Sequence, residues 1–142
     1  MPEILDTTKV RSGTWGQLWL DGELVAECSG CQIKGNKDKQ DVPRCGTLVS
    51  GKKLTGVSIT GSVTIYNATS RLIKAEGEAI RQVRDLRHTI ISLLADPDNP
   101  NPQRIVARGV SFDDVTLADW KAAQLGEIEA PFTAEDYEIL DA

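Results

Sequence analysis

The stretch "TGVSITGSVTIY", residues 55–66, alternates along its whole length. Val57, Ile59, Val63 and Ile65 fall at even spacing with Gly61 among them, and Ser58, Thr60, Ser62 and Thr64 occupy positions between. A period of two is the signature of a β-strand with one buried face, because successive side chains point to opposite sides of a sheet. At about 3.3 Å per residue the stretch would extend roughly 40 Å, longer than the usual strand of about 3–10 residues. In most small soluble domains such a hydroxyl face looks at bulk water.

Just upstream lies "KGNKDKQDVPRCGTLVSGKK", residues 34–53, with glycines at 35, 46 and 51, Pro43 and few apolar residues. It predicts a loop or an extended hairpin. Excursions this long in compact domains are uncommon and are usually functional or disordered. Further upstream, "TWGQLWLDGELVAEC" holds Asp21-Gly22 between two apolar-rich arms. Both residues tolerate the positive φ of a type I′ turn, so a hairpin is predicted with Leu20 opposite Glu23, Trp19 opposite Leu24 and Leu18 opposite Val25. Continued, the same pairing sets Gln17 opposite Ala26 and Trp15 opposite Cys28. Both of its faces are partly apolar, which predicts cover on each side.

Downstream the period changes. Leu72, Ala79, Ile80, Val83 and Leu86 recur at helical spacing and predict one helix between Thr69 and Arg87, with Ser70 or Thr69 able to cap its start. Arg81, Arg84 and Arg87 suit the negative end of its dipole. "TIISLLA" reads as a buried strand and "DPDNPNPQ" as a loop that its prolines keep irregular. "RIVARGVSFDDVTLADW" predicts a strand with a bulge near Asp113-Asp114, where the alternation changes phase. "AQLGEIEAPFTAEDYEIL" supplies the last strand, with Pro131 confined to an edge or a bulge. Six or seven strands and one helix make an α+β, mainly β chain: a β-sandwich or partial barrel with one flanking helix. A chain of 142 residues suits a single domain, here 1–142.

Charge is unevenly spread. The net charge is −5, yet from Asp113 onward nine acids face Lys121 alone, so residues 1–112 carry +3. Within 34–53, six cations (Lys34, Lys37, Lys39, Arg44, Lys52, Lys53) face only Asp38 and Asp41. Opposed patches of this kind suit a molecule that meets copies of itself through unlike surfaces. The plain alternative is a solvated surface with an acidic tail. The longest apolar run is "IISLLA", far below the ~20 residues of a membrane span, and "MPEILDTTKVRSG" lacks a leader's layout. A cytoplasmic chain with reduced thiols is expected, since three cysteines cannot all pair within it.

No catalytic constellation emerges, and an enzyme is not expected. Cys28 and Cys31 in "CSGC", with Cys45 and the sole histidine His88, invite a zinc reading. The second pair is not local, however, and strand neighbours three apart would point to opposite faces. Small buried hydrophobes are the alternative reading of the cysteines. A nucleophile would need a base beside it, and His88 has no recognisable partner. Phosphate-cradling glycine patterns are absent. The acidic balance argues against nucleic-acid readout, although 34–53 could touch phosphate. Trp15, Trp19 and Trp120 read as core or interface anchors.

Three segments in order, "SGTWGQLWLDGELVAE", "GKKLTGVSITGSVTIYNATSRL" and "VSFDDVTLADW" followed by "GEIEAPFTAEDYEIL", resemble the tail tube proteins of contractile phage tails and related defective prophage elements. The likeness spans nearly the whole chain; the cysteines and the Pro-rich loop depart from it. It implies a β-sandwich with one helix whose copies close into six-membered rings and stack into a hollow tube inside a contractile sheath. Ser58, Thr60, Ser62 and Thr64 would then line the bore, and Lys37, Lys39, Val42, Arg44, Leu48 and Val49 would make ring-stacking or subunit contacts. The implied partners are further copies, tail sheath and baseplate proteins, with no cofactor, metal or membrane. Passage of DNA through the bore stays open, because related bacteriocin particles have tubes that carry none. The implied setting is a virion tail assembled in the host bacterial cytoplasm. Alternatives are an adaptor or completion protein of a tail or secretion apparatus, and a small β-domain that binds a ligand or zinc.

Overall fold

A computed structural model describes residues 3–140. Eight strands form one antiparallel sheet: β1 (Gly16–Leu20), β2 (Glu23–Leu24), β3 (Cys28–Val42), β4 (Gly51–Tyr66), β5 (His88–Leu94), β6 (Gln103–Phe112), β7 (Glu127–Ala134) and β8 (Asp136–Ile139). Their order is β2-β1-β5-β6-β7-β4-β3, with β8 beside β6. The sheet folds over itself at β6, whose first part pairs with β5 and β8 and whose last residues pair with β7. This gives two leaves and an open seam, a sandwich rather than a closed barrel. The count exceeds the predicted six or seven because the last predicted strand is two, β7 and β8, one run interrupted at Glu135.

The core between the leaves comprises Leu18, Val25, Val63, Ile65, Ile90, Ala107, Val110, Ile128 and Phe132. The apolar row of the 55–66 strand supplies two of these, and Ile59 is buried as well. The fold at β6 is made by a bulge. His88 lies opposite Val110 but Ile90 lies opposite Ala107, so β6 carries one extra residue, at Gly109 with φ 64°. Glycine adopts that left-handed conformation without a Cβ clash. The bulge therefore falls at 109, not at the predicted Asp113-Asp114, which lies beyond the end of β6 in a stretch without strand. Arg87 secures the corner by donating to the Gly109 carbonyl at 3.3 Å and pairing with Glu135 at 3.3 Å.

The Asp21-Gly22 turn has φ of 51° and 85° and joins Trp19 to Leu24 and Leu20 to Glu23, as type I′ geometry requires. The Val25 N–H still donates to the Leu18 carbonyl at 2.8 Å, but the ladder stops there. The predicted pairs at Gln17–Ala26 and Trp15–Cys28 do not form, because the chain turns away at Ala26 into β3. The helix α1 (Arg71–Arg81) is shorter than predicted. Ser70 is its N-cap without a side-chain hydrogen bond, and the Thr69 hydroxyl instead meets Glu27. Its C-terminus closes as a Schellman motif, with Arg84 N–H on Ala79 O and Val83 N–H on Ile80 O, so Arg84 and Arg87 lie outside it. Ala79 and Glu76 are buried, with Leu72 and Ile73 packed on the core, while Ile80 and Val83 face out.

Candidate assembly surface

The β3–β4 hairpin is the dominant feature of the molecule. Its register runs from Cys28 opposite Ile65 to Val42 opposite Gly51, but β7 accompanies β4 only from Ile59 to Tyr66. Residues beyond Ile59 therefore project as a two-stranded ribbon, an arrangement of marginal stability alone in water. The segment 34–53 is thus mostly strand, with a short tip at 43–50.

Cross-strand partners share a face, so the rows of this ribbon can be followed. The core-facing row Ile65, Val63, Gly61, Ile59 continues to Val57 and, past the bulge at Thr55, to Leu54. Off the end of the core that row is uncovered: Val57 is 59% and Leu54 49% exposed. Lys37 lies opposite Val57 and Lys39 opposite Leu54, and next along comes the Lys52–Asp41 ion pair. An apolar row flanked by cations is left without a partner. Val42 closes the ladder on the opposite face, and Arg44, Leu48 and Val49 belong to the tip, where the Arg44 guanidinium donates to the Val49 carbonyl at 3.1 Å. The six predicted contact residues are all exposed and lie along one projection, four at its end and the two lysines lower down.

Ser58, Thr60, Ser62 and Thr64 share the other face with Asn36, Lys34 and Gln32 of β3 and with Thr133, Pro131 and Glu129 of β7. Asn36 Nδ2 donates to Thr60 Oγ1 at 2.8 Å. Ser58 is exposed and the other three are half-buried. Apart from Pro131 the face is polar, carrying hydroxyls, amides and charges of both signs. Among the described residues, the outer edge of β3, fifteen residues long, has no strand beside it. Long open edges are liabilities that native proteins cover or pair.

One constellation went unread in the sequence. His88 Nδ1 lies 2.6 Å from Asp21 Oδ2 and its Nε2 lies 2.7 Å from Glu76 Oε1, while the other Asp21 oxygen accepts from the Thr89 N–H. The imidazole so ties the β1–β2 turn, α1 and β5 together. Burial works to lower the His88 pKa, but hydrogen bonds and charges from Asp21 and Glu76 outweigh it and raise the pKa. For Asp21, burial works upward, and the bonds from His88 and Thr89 with the imidazole's charge bring its pKa below the usual value. Next to this triad a cavity of about 300 Å³ opens between leaf and helix, lined by Leu18, Val25, Leu72 and Ile90 among others. Arg71 guards its rim in ion pairs with Glu27 and Glu23. The available signal was Glu76 standing on the same helical face as Leu72 and Ala79, where a lone acid needs a partner.

The zinc set is not assembled. A bulge at Ser29 puts Cys28 opposite Ile65 and Cys31 opposite Val63, so the two share the core-facing row instead of pointing apart. Cys45 stands at the tip, the far end of the hairpin, and His88 is engaged by two carboxylates. Among the described residues no His, Cys, Asp or Glu cluster suits a metal. The cysteines are not buried hydrophobes either: Cys28 is half-buried, and Cys31 and Cys45 are exposed. Trp15 and Trp120 are likewise exposed and so are not core anchors. No helix among the described residues is long and apolar enough to cross a membrane.

The fold is shared with components of contractile injection systems. Superposition on a chain of the PVC sheath–tube complex in its extended state gives a TM-score of 0.71, covering 99% of this chain and 100% of that one at 10% identity. A chain of the anti-feeding prophage tube-terminating cap gives 0.69, covering 100% and 94% at 13% identity. The chain belongs to the phage tail tube protein family, which it matches over residues 3–141. It is 30% identical over 130 residues to the phage-like element PBSX protein XkdM of Bacillus subtilis (strain 168), covering 90% of this chain and 88% of that protein.

Proposed function

We propose that this chain, a single tail-tube domain, is a structural subunit that closes into six-membered rings and stacks into a hollow tube inside a contractile sheath, with no catalytic role. The observation that carries the reading is the β3–β4 ribbon, with its open edge and its uncovered row of Val57 and Leu54, each opposite a lysine, Lys37 and Lys39. Pairing that edge with a neighbour's sheet satisfies its backbone groups, and covering the row removes apolar surface from water. A head-to-tail ring supplies both at every subunit. The face with Ser58, Thr60, Ser62 and Thr64 then lines the bore. Lys37, Lys39, Val42, Arg44, Leu48 and Val49 make the contacts between subunits or rings. Sheath and baseplate proteins are the outer partners, and the particle is assembled in the host cytoplasm.

Electron micrographs of concentrated protein test this, with stacked rings or filaments expected. A solitary protomer at high concentration sinks it. Replacing Lys37, Lys39 and Arg44 with glutamate should reduce stacking while the fold persists; unchanged polymers remove these residues from the interface. The near-equal likeness to a tube-terminating cap favours a second reading, a completion ring that does not elongate. Single rings without stacks would select it.

A further inference from the structure

The basic tip has a complement on the same molecule, at the other end of the same strand. β4 begins beside the tip at Gly51 and ends at Tyr66, which pairs with Glu127; the following Asn67 N–H donates to the Gly126 carbonyl at 2.8 Å. The segment 113–126, which has neither strand nor helix, therefore closes at the end of β4 remote from the tip. The sixteen residues of β4 separate the two by about 50 Å at a rise of roughly 3.3 Å each.

The chemistry at the two ends is opposite in charge and alike in exposed apolar surface. At the remote end Trp120 is 82% and Leu125 88% exposed. With Asp119, Gln124 and Glu127 they border a hollow of about 240 Å³, which Lys121 also lines. The loop 113–126 holds three acids against that one lysine, with Glu127 and Glu129 following, whereas the tip holds Arg44 and no acid, with Lys52 and Lys53 just below it. At the tip Leu48 and Val49 stand clear of the protein beside Arg44. Exposed tryptophan beside carboxylates accepts both an aliphatic side chain and a guanidinium, and such aromatic anchors dominate interface energetics.

We propose that the 43–50 tip of one copy seats in the 113–126 loop of the next copy along the tube. The proposal rests on the tube-subunit reading and names its axial contact. A contact between opposite ends of one strand is heterologous: each addition leaves a fresh tip and a fresh loop, so the stack propagates. The occupant is a second copy of this chain because the tip supplies the required cation and two apolar side chains, and its position at the far end requires no bending of the protomer.

The native Cys45 lies within the tip and is exposed, which permits a direct test. With Cys28 and Cys31 changed to serine, Cys45 is labelled with a benzophenone maleimide, and polymers are irradiated and digested. Crosslinks from the tip to peptides within 113–129 of another chain are expected. Polymers that crosslink elsewhere overturn the docking and leave the subunit reading intact; absence of any polymer overturns both. In parallel, Leu48→Glu and Trp120→Glu should each give rings that do not elongate, and their equimolar mixture should give paired rings, since one variant keeps the loop and the other the tip. Long tubes from either variant alone overturn the proposal as well.

Discussion

Phe132 lies directly across the ladder from Gly61 and fills the space that a side chain there would take. A Cβ at 61 would stand 2.7 Å from Phe132 Cζ and closer still to the Gln32 carbonyl oxygen. Glycine in a strand interior commonly marks such an approach, and here the ring is fully buried. Gly61→Ala must push β3 or the phenyl ring aside, so we expect a loss of about 2 kcal/mol or more, as for an overpacked core. Urea unfolding of the unassembled protein measures it; an unchanged midpoint would refute the packing described.

The His88 triad predicts a pH signature with a definite sign. His88 has a raised folded pKa, so its contribution is complete below the unfolded value near 6.5 and is lost as pH rises through the folded one. Asp21 has a lowered folded pKa, so its contribution is present above the unfolded value and lost as pH falls through the folded one. The tie between turn, helix and β5 is therefore at full strength between the two unfolded values, 3.8 for Asp21 and 6.5 for His88, and weakens outside them on the way to each folded pKa. As the sole histidine, His88 gives one imidazole signal, and its NMR titration should have a midpoint above 6.5. A midpoint at or below 6.5 contradicts the geometry. His88→Gln should flatten the loss of stability on the alkaline side.

What was legible in the sequence was whatever a local rule decides. The 55–66 alternation, the Asp21-Gly22 turn and the proline-rich loop each depend on neighbours in the chain, and each is found in place. The features misread depend on distant partners. Nothing near Gly109 announces that β6 must change leaves, because the reason is Glu135 and β8 on the far side. Glu76 drew no notice, because its partner His88 comes from a separate strand, β5, and is held in turn by Asp21 of the β1–β2 turn. The extent of the projecting ribbon was legible only as a choice between loop and hairpin, since charged, glycine-bearing strand lacks the apolar alternation that marks strands in cores. The complement of its tip was hidden for another reason: opposite ends of a strand become neighbours only between copies.

Val83 occupies the C′ position of the Schellman motif with φ 54°, and its side chain is 93% exposed. Left-handed backbone costs an L-residue about 1–2 kcal/mol, and a β-branched side chain is among the least suited to it. Glycine is the usual occupant. Val83→Gly should therefore stabilise the unassembled protein by about 1 kcal/mol, the gain being trimmed by glycine's greater freedom when unfolded. Thermal unfolding reads it as a rise in Tm. A fall would mean that the valine makes contacts that outweigh its backbone strain.

Leu54 and Val57 separate assembly from folding. In the protomer Leu54 is 49% and Val57 59% exposed, beyond the last residue of β4 that β7 covers, so truncating them removes little buried surface. Leu54→Ala with Val57→Ala should shift the unfolding free energy of unassembled protein by about 1 kcal/mol or less. In the tube each would be covered by a neighbour, and a fully buried side chain of this size contributes about 1.5–3 kcal/mol. Since about 1.4 kcal/mol is a factor of ten in an association constant, the double variant should need more than about tenfold higher concentration to polymerise. Light scattering against concentration gives that threshold, and urea unfolding below it gives the stability. A large stability loss would place the pair in the protomer's own core, and an unmoved threshold would place them outside any interface.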